Sequence, residues 1–330
     1  MPEKGMQASG LDKNNKRMIA YLVYGKIIID DIKLASTGEI VRGVLGGGGP
    51  QGAFGARLWT DEVGLLSRSG TDIEERYLED LRRLDIDLSG YVQFEKHRTP
   101  RSSMFYDENE YIDFAKGKGP VMVVTQEEFL ALLAEPLTLP ANYQNPRAIH
   151  LITEFAREPI VAEALLLRDK GAVFSLEPII DFRQGSNKDD ILNLLPEVDV
   201  VTPDWPSASY LARSDDPLDV MKFWSQLGTC MVAIRHGHHG SYVWDREHDR
   251  VYHVPAVPVE VVDPTGAGNC YGGGLCVGWT ETEEARLAGC YGAVSAWFLV
   301  GRVGLPKMST QMRKKAAELL EQTIAMVREI

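Results

Sequence analysis

The sequence has few cysteines, and this scarcity excludes several classes of protein. The four cysteines in 330 residues lack the paired spacing of a disulfide framework or a zinc site. Three of them lie in apolar or glycine-rich segments whose composition is typical of buried chain. We therefore expect reduced thiols in a cytoplasmic protein.

The sequence also lacks long apolar runs and basic clusters. Its longest apolar stretches are too short or too rich in glycine to span a bilayer. Residues 1–17 are polar, so we expect a disordered tail there rather than a secretory signal or a membrane anchor. The formal net charge of −12 argues against a nucleic-acid partner.

A regular alternation of patterns follows residue 18. A strand pattern at 148–152, for example, is followed by a helix pattern at 160–170 and a second strand pattern at 172–176. The 44% of hydrophobic residues can form a substantial core. This alternation predicts an α/β fold with a mostly parallel central sheet and helices on both of its faces.

The most informative motif is the run Asp-Pro-Thr-Gly-Ala-Gly-Asn at residues 263–269. It lies between a β-branched segment and a small-residue segment that can begin a helix. A glycine-rich turn in this position leaves backbone N–H groups unpaired at the positive end of the helix dipole, which predicts an anion site. Gly266 and Gly268 allow a phosphate to approach the backbone closely. A carboxylate at the last position could accept a proton from an attacking hydroxyl, whereas Asn269 can only orient that hydroxyl.

This run resembles the second signature, D-T-x-G-A-G-D, of the PfkB or ribokinase-like family of sugar and nucleoside kinases. The matching residues are Asp263, Thr265, Gly266, Ala267 and Gly268. The resemblance implies that residues 266–268 form an anion hole for the transferring phosphoryl group, with Asp263 and Thr265 on the nucleotide side. Asn269 replaces the aspartate that acts as the catalytic base in the family, so the sequence is a divergent member with G-A-G-N in place of G-A-G-D.

Two N-terminal segments resemble the acceptor side of the same family. Asp30 and Asp31 follow an apolar segment where the family has a carboxylate that holds sugar hydroxyls, and either residue could take that role. The glycine run 46–49 and the residues after it resemble the first signature, G-G-x-x-x-N-x-A. The resemblance implies that Gly47, Gly48 and Gln51 line the acceptor pocket, although Gln51 stands where the family usually has asparagine.

A third segment resembles the family's T-x-G-x-x-G turn, which borders the nucleotide phosphates. The resemblance implies nucleotide contacts for Gly237 and Gly240, and Arg235 could add a positive charge near a polyphosphate. The three histidines of this turn lack distal ligands at metal-site spacing, so we interpret them as exposed loop residues. Gly292, in a small-residue helix, could form part of an adenine pocket or could serve close helix packing.

The family also implies ATP and Mg²⁺ as cofactors, and here the sequence departs from the pattern a second time. Ser207 stands where the family has a glutamate that helps to organise magnesium. Asp204 and Glu177 are the replacement carboxylates that could hold the ion, because hard cations prefer oxygen ligands.

Residues 98–113 interrupt the α/β alternation with a pattern typical of a β-hairpin. The family carries a small β lid at this point and near residues 32–44, which covers the sugar and often forms a dimer interface. We therefore expect a single ribokinase-like domain over residues 18–330, with lid segments near 32–44 and 98–113 and a homodimer through the lid as one option.

These features predict ATP-dependent phosphoryl transfer to a hydroxyl of a sugar or similar small alcohol, slowed by the missing base. A first alternative is a nucleotide-binding pseudokinase with a regulatory or binding role, which Asn269 and Ser207 together favour. A second alternative is a dinucleotide-dependent enzyme, because residues 47–52 also fit G-x-G-x-x-G and Asp72 lies near the expected acidic position. That interpretation explains none of the C-terminal motifs.

Overall fold

The computed structural model of the chain describes residues 6–8, 18–34, 37–105, 123–180 and 187–330. The strands of this part are β1 (Met6–Ala8), β2 (Tyr21–Tyr24), β3 (Ile28–Lys33), β4 (Ile40–Gly46), β5 (Val63–Gly70), β6 (Tyr91–Phe94), β7 (Arg101–Phe105), β8 (Ala148–Thr153), β9 (Val173–Pro178), β10 (Val200–Val201), β11 (Met231–Arg235), β12 (Ser241–Asp245), β13 (Val251–Val254) and β14 (Arg328–Glu329). The helices are α1 (Gly49–Arg57), α2 (Glu75–Arg83), α3 (Gln126–Ala134), α4 (Pro159–Asp169), α5 (Lys188–Leu194), α6 (Trp205–Ala212), α7 (Pro217–Ser225), α8 (Ala267–Thr282), α9 (Ala285–Val300) and α10 (Thr310–Met326).

The central sheet of the described residues has eleven strands in the order β1-β6-β5-β2-β8-β9-β10-β11-β12-β13-β14. Neighbouring strands from β6 to β11 run parallel, and the pairs at the two edges are antiparallel. The predicted mostly parallel sheet is therefore confirmed.

Both faces of this sheet are covered by helices, as the alternation predicted. In β2, Leu22 and Tyr24 belong to one core, which includes buried residues of α4, α6 and α7. Tyr21 and Val23 point the other way, into a core that includes residues of α1 and α8. Successive side chains of a strand point to opposite faces, so a sheet covered on both sides needs apolar residues at every position.

A separate three-stranded sheet brings the two predicted lid segments together, in the order β4-β3-β7. Strand β3 pairs antiparallel with β4 and parallel with β7. The part of the predicted hairpin that follows residue 105 lies outside the described residues. The roles of this sheet as a lid and as a dimer interface stay predictions.

The N-terminal segment differs from expectation in one place. Residues 6–8 pair with β6 at the edge of the central sheet, whereas we expected residues 1–17 to be disordered. An unpaired sheet edge can bind any extended segment through its backbone, so the pairing needs no side-chain pattern that the sequence could reveal. The remainder of residues 1–17 lies outside the described part of the chain.

The cysteines behave as expected, since all four are free and Cys270, Cys276 and Cys290 are buried. None of the helices in the described ranges combines the length and the apolar character that a membrane span requires.

Helices α1 and α8 approach so closely that their backbones touch. A Cβ atom on Gly273 would overlap the carbonyl oxygen of Gly52, and a Cβ atom on Gly55 would overlap the carbonyl oxygen of Cys270. Only glycine permits this separation. The contact holds the N-termini of the two helices side by side, and both N-termini carry the glycine-rich turns that the sequence singled out.

We expect Gly273→Ala to destabilise the protein by about 1–3 kcal/mol, because the new methyl group must push α1 and α8 apart. Alanine is a better helix former than glycine by about 1 kcal/mol. At a helix position with free space around it, the same substitution would therefore stabilise the protein. The measurement is urea unfolding. Gly301→Ala is the matched control, since its Cβ would meet its nearest neighbour at 3.4 Å. A Gly273→Ala variant as stable as the wild type would contradict the close contact.

Candidate active site

The turn at residues 263–269 has the form of an anion site. Helix α8 begins after Gly266, whose φ of 76° is left-handed and favours glycine. The buried Asp263 carboxylate accepts a hydrogen bond of 3.0 Å from the Thr265 backbone N–H and fixes the entry to the turn. Among the described residues, the backbone N–H groups of Gly268 and Asn269 have no acceptor, and the buried Thr265 hydroxyl has no partner. These groups are available to an anion.

The turn before α1 lies directly beside the first. Gly47 and Gly48 have φ values of 90° and 89°, and a Cβ atom on Gly48 would come within 3.2 Å of the Asn269 side-chain nitrogen. Gln51, which is buried in the first turn of α1, packs so tightly on Gly266 that a Cβ atom there would overlap it. The two sequence signatures therefore meet in space.

Gln51 contributes a hydrogen-bond acceptor to this junction. Its Nε2 donates to the carbonyl oxygen of Leu45 at 2.9 Å, which fixes the orientation of the amide. Its Oε1 is buried and has no partner within the described ranges. A buried acceptor without a partner costs about 1–3 kcal/mol, so the geometry favours a ligand hydroxyl at this atom.

Of the two candidate aspartates, Asp30 faces the site. Its side chain lies against Gly46, accepts a hydrogen bond from the Ser102 hydroxyl and is only 3% exposed. Burial raises the pKa of Asp30 to about 7, with smaller contributions from the negative charges of Asp263 and Asp31, while the Ser102 hydrogen bond opposes the rise. Gly46, against which the Asp30 carboxylate lies, directly precedes Gly47 and Gly48, so Asp30 lies beside the turn before α1.

Asp31 points to the opposite side of β3. Its carboxylate accepts hydrogen bonds from the Gly43 backbone N–H and the Arg42 guanidinium, both at 2.9 Å. The Arg42 side chain is 76% exposed, so this pair lies on the solvent side of the small sheet. The geometry thus favours Asp30 over Asp31 as the residue that holds an acceptor.

Glu177, at the end of β9, is the centre of a buried polar network around Asn269. Its side chain is 3% exposed, and its Oε1 accepts hydrogen bonds from Asn269 Nδ2 at 2.8 Å and from Arg235 Nη1 at 2.9 Å. Burial alone would raise the pKa of Glu177, but the charge of Arg235, the nearby His150 ring and the hydrogen bond from Asn269 lower it. We therefore treat Glu177 as ionised.

The ionised Glu177 determines which way the Asn269 amide points. A carboxylate only accepts hydrogen bonds, so Asn269 must present its NH₂ group to Glu177. Its Oδ1 then points away from Glu177 and makes no hydrogen bond to any described residue. The sequence contained no signal for this pairing, because 92 residues separate the two side chains.

The two candidate magnesium ligands, Asp204 and Glu177, make contacts with other groups of the protein. Asp204 caps helix α6, where its Oδ1 accepts a hydrogen bond of 3.1 Å from the Ser207 backbone N–H. Glu177 is buried and neutralised by Arg235. No group of three or more His, Cys, Asp and Glu side chains in the described part of the chain could hold a metal ion. Magnesium needs only one or two carboxylates beside substrate phosphates, so the role of Asp204 and Glu177 as its ligands stays a prediction.

The histidine-containing turn after β11 is shaped by stacking and by glycine. The His236 ring stacks on Trp205 with 3.9 Å between ring centroids, while His238 and His239 are exposed, as expected. Burial and the neighbouring histidines lower the pKa of His236 to about 4. Gly237 and Gly240, with φ values of 55° and 90°, make the turn possible.

A Cβ atom on Gly292 would lie 2.8 Å from the Tyr271 ring, which favours the packing role of this glycine between α9 and α8. Its place in an adenine pocket stays a prediction. The dinucleotide interpretation is wrong, because residues 47–52 follow β4 of the small sheet rather than a strand of the parallel sheet. Asp72, the expected acidic residue of that interpretation, accepts hydrogen bonds from Thr99.

The sequence is similar to those of known kinases. A family model described as pfkB family carbohydrate kinase matches residues 20–311. The cytidine kinase of Thermococcus kodakarensis is 25% identical over 269 residues, which cover 80% of this chain and 90% of that protein.

Two solved structures share the fold. The nucleoside kinase of Methanocaldococcus jannaschii, an archaeal member of the ribokinase family, has a TM-score of 0.67 and 20% identity over 93% of this chain and 99% of its own. The fructokinase of Vibrio cholerae O395, bound to fructose, ADP and calcium, has a TM-score of 0.72 and 16% identity over 92% and 99% of the two chains. The fold is therefore ribokinase-like.

We expect Asp30→Asn to make the protein more stable than the wild type at pH 8 and not at pH 4. The folded-state pKa of Asp30, about 7, lies above its ordinary value of 3.8. The stability that the protonated Asp30 carboxyl contributes is therefore fully present below pH 4 and is lost as the pH rises through 7. The loss in the free energy of unfolding at pH 8 is at most on the order of 4 kcal/mol. The measurement is urea unfolding across this range.

Asp31→Asn is the control for this experiment, because Asp31 belongs to an exposed ion pair of about 0–1 kcal/mol. It should not gain stability at alkaline pH. A constant difference between Asp30→Asn and the wild type from pH 4 to pH 8 would mean that Asp30 is not a strained carboxylate.

Proposed function

Because the chain belongs to the pfkB family of carbohydrate kinases, we propose that it transfers the terminal phosphoryl group of ATP to a hydroxyl of a sugar, a nucleoside or a similar small alcohol. The observation that carries this proposal is the direct contact between Gln51, on the acceptor side, and Gly266, in the anion turn. A phosphoryl donor and a hydroxyl acceptor must meet at such a junction. The Thermococcus relative is a cytidine kinase, which adds nucleosides to the acceptors worth testing.

On the donor side, the nucleotide phosphates bind at residues 266–268. Helix α8 supplies the unpaired N–H groups of Gly268 and Asn269 and the positive end of its dipole. The unpartnered Thr265 hydroxyl can donate to a phosphate oxygen. The fructokinase of similar fold was solved with ADP and calcium, so ATP with a divalent counter-ion, Mg²⁺ in this proposal, is the donor to test.

On the acceptor side, three hydrogen-bond acceptors surround the segment 45–48. Asp30 lies against Gly46, Gln51 is anchored on Leu45, and Asn269 lies beside Gly48. A polyol or a ribose supplies several O–H donors, so it can satisfy Asp30, Gln51 Oε1 and Asn269 Oδ1 together. This complementarity favours an acceptor with at least two neighbouring hydroxyl groups.

In the transfer step, the acceptor oxygen bonds to phosphorus while the bond between phosphorus and the ADP oxygen breaks. Asn269 Oδ1 accepts a hydrogen bond from the attacking hydroxyl and orients it, but it cannot remove the proton. The proton passes to a phosphoryl oxygen or to water late in the step. Phosphoryl transfer depends mainly on positioning and charge stabilisation, so the reaction proceeds without a base, at a rate lowered by about 10²–10⁴-fold.

The test combines nucleotide binding with an acceptor screen. ATP and ADP should raise the melting temperature, because they bind only the folded state. Among sugars, polyols and nucleosides, one class should give acceptor-dependent ADP release and a product heavier by one phosphoryl group in mass spectrometry. Asp30→Asn should lose this acceptor dependence and keep nucleotide binding.

Two outcomes would contradict the proposal. No thermal shift with millimolar ATP or ADP would remove the nucleotide site. Nucleotide binding without phosphorylated product across the panel would indicate a binding protein instead of a kinase.

We expect Asn269→Asp to fail as a simple restoration of the base, because Glu177 lies 2.8 Å from the Asn269 amide. Two carboxylates at that distance cannot both ionise without a strong rise in the pKa of one. In the double variant Asn269→Asp/Glu177→Gln, the amide introduced at position 177 can donate to the new carboxylate and restore the pairing. We expect turnover of this double variant to exceed that of the wild type by about 10²-fold or more.

The measurement is the kcat for acceptor phosphorylation, with nucleotide affinity as the control for an intact donor site. Glu177→Gln alone should not raise kcat, since it adds no base. If Asn269→Asp alone were as active and as stable as the double variant, positions 177 and 269 would not be coupled.

A further inference from the structure

The guanidinium group of Arg235 lies at the N-terminus of helix α8. A Cβ atom on Gly268, in the first turn of that helix, would overlap Arg235 Nη1. A cation is unfavourable at this end of a helix, because the helix dipole is positive there. The arrangement therefore requires a compensating interaction, either with the protein or with a ligand.

Three features hold Arg235 in this unfavourable position. Its Nε donates to the Thr202 carbonyl oxygen at 3.1 Å, and its Nη1 lies 2.9 Å from Glu177 Oε1. Its side chain is only 14% exposed. Strands β9, β10 and β11 end side by side and supply Glu177, Thr202 and Arg235 in turn, so the guanidinium is fixed by the sheet before any ligand arrives.

Three acidic side chains near the turn already make contacts within the protein. Glu177 Oε1 is paired with Arg235 and Asn269, Asp204 caps α6, and Asp263 caps the entry to the anion turn. Asn269, in the first turn of α8, is neutral. The described site therefore offers to an anion the unpaired N–H groups of the turn and the guanidinium N–H groups that do not contact Glu177 or Thr202.

Resting on the proposed function, we infer that Arg235 is a built-in counter-ion for the nucleotide phosphates, which lets ATP and ADP bind without a divalent metal. The fixed guanidinium bonds a phosphate oxygen through N–H groups that do not contact Glu177 or Thr202, since it carries five donors. Magnesium then strengthens nucleotide binding only modestly, because part of the phosphate charge is already neutralised by the protein.

The test is calorimetric titration of ATP and ADP in EDTA and in excess Mg²⁺. For the wild type, the Kd values in the two conditions should agree within about tenfold. Arg235→Gln should weaken binding in EDTA by about ten- to hundredfold, the usual effect of losing a hydrogen bond to a charged group. Excess Mg²⁺ should recover part of the lost affinity. In EDTA, the Kd of Arg235→Lys should lie between those of the wild type and Arg235→Gln, because lysine keeps the charge.

Two further variants make the result interpretable. Arg235→Gln leaves the Glu177 carboxylate buried without its partner and can therefore impair folding. The double variant Arg235→Gln/Glu177→Gln removes both charges and avoids this problem. It should show the same loss of nucleotide affinity in EDTA as Arg235→Gln. Arg250→Gln removes one positive charge at the opposite end of the sheet, where Arg250 is 57% exposed and pairs with Glu329. That control should bind like the wild type.

The outcomes separate this inference from the proposed function. If the wild type binds nucleotide only with Mg²⁺, the inference is wrong and the nucleotide site stands. The same conclusion follows if Arg235→Gln and Arg235→Gln/Glu177→Gln both bind nucleotide in EDTA as tightly as the wild type. Absence of wild-type binding in either condition would overturn the proposed function itself.

Discussion

The backbone contact between α1 and α8 is the constraint on which the candidate site depends. Gly55 and Gly273 remove the side chains that would otherwise separate these helices. The two glycine-rich turns, more than 200 residues apart in the sequence, consequently lie side by side at the helix N-termini. The site is therefore not a property of either motif alone, and a change of a few tenths of an ångström between the helices would move the acceptor relative to the phosphates.

The polar groups at this junction weaken the fold rather than strengthen it. A buried ion pair such as Glu177–Arg235 roughly breaks even against desolvation, and the raised pKa of Asp30 means that its charge is unfavourable at neutral pH. The buried acceptor of Gln51 lacks a partner among the described residues. Several unfavourable groups around one junction are typical of a site whose geometry is maintained for a ligand, at the expense of stability elsewhere in the molecule.

Local patterns predicted the elements, and contacts between distant residues decided the site. The strand, turn and helix around residues 263–269 were predictable because glycine conformations and side-chain periodicity act over a few residues. The choice between Asp30 and Asp31 was not, because it depends on distant partners: Ser102 and Gly46 lie beside Asp30, whereas Arg42 and Gly43 bind Asp31. The partner of Asn269 and the packing of Gly292 on Tyr271 depend on the tertiary structure, to which one sequence gives no access.

The neutral side chain at position 269 changes the electrostatics of the site as well as its acid–base chemistry. The chain as a whole carries a formal charge of −12, which opposes the approach of a polyphosphate. Charges on the surface are screened beyond about 8 Å at physiological salt, whereas the buried Arg235 is screened much less. An aspartate at position 269 would add a negative charge in the first turn of α8, next to Glu177, and would weaken the attraction for a phosphate at this turn. The asparagine thus removes a base and also spares the site a second negative charge beside the Glu177–Arg235 pair.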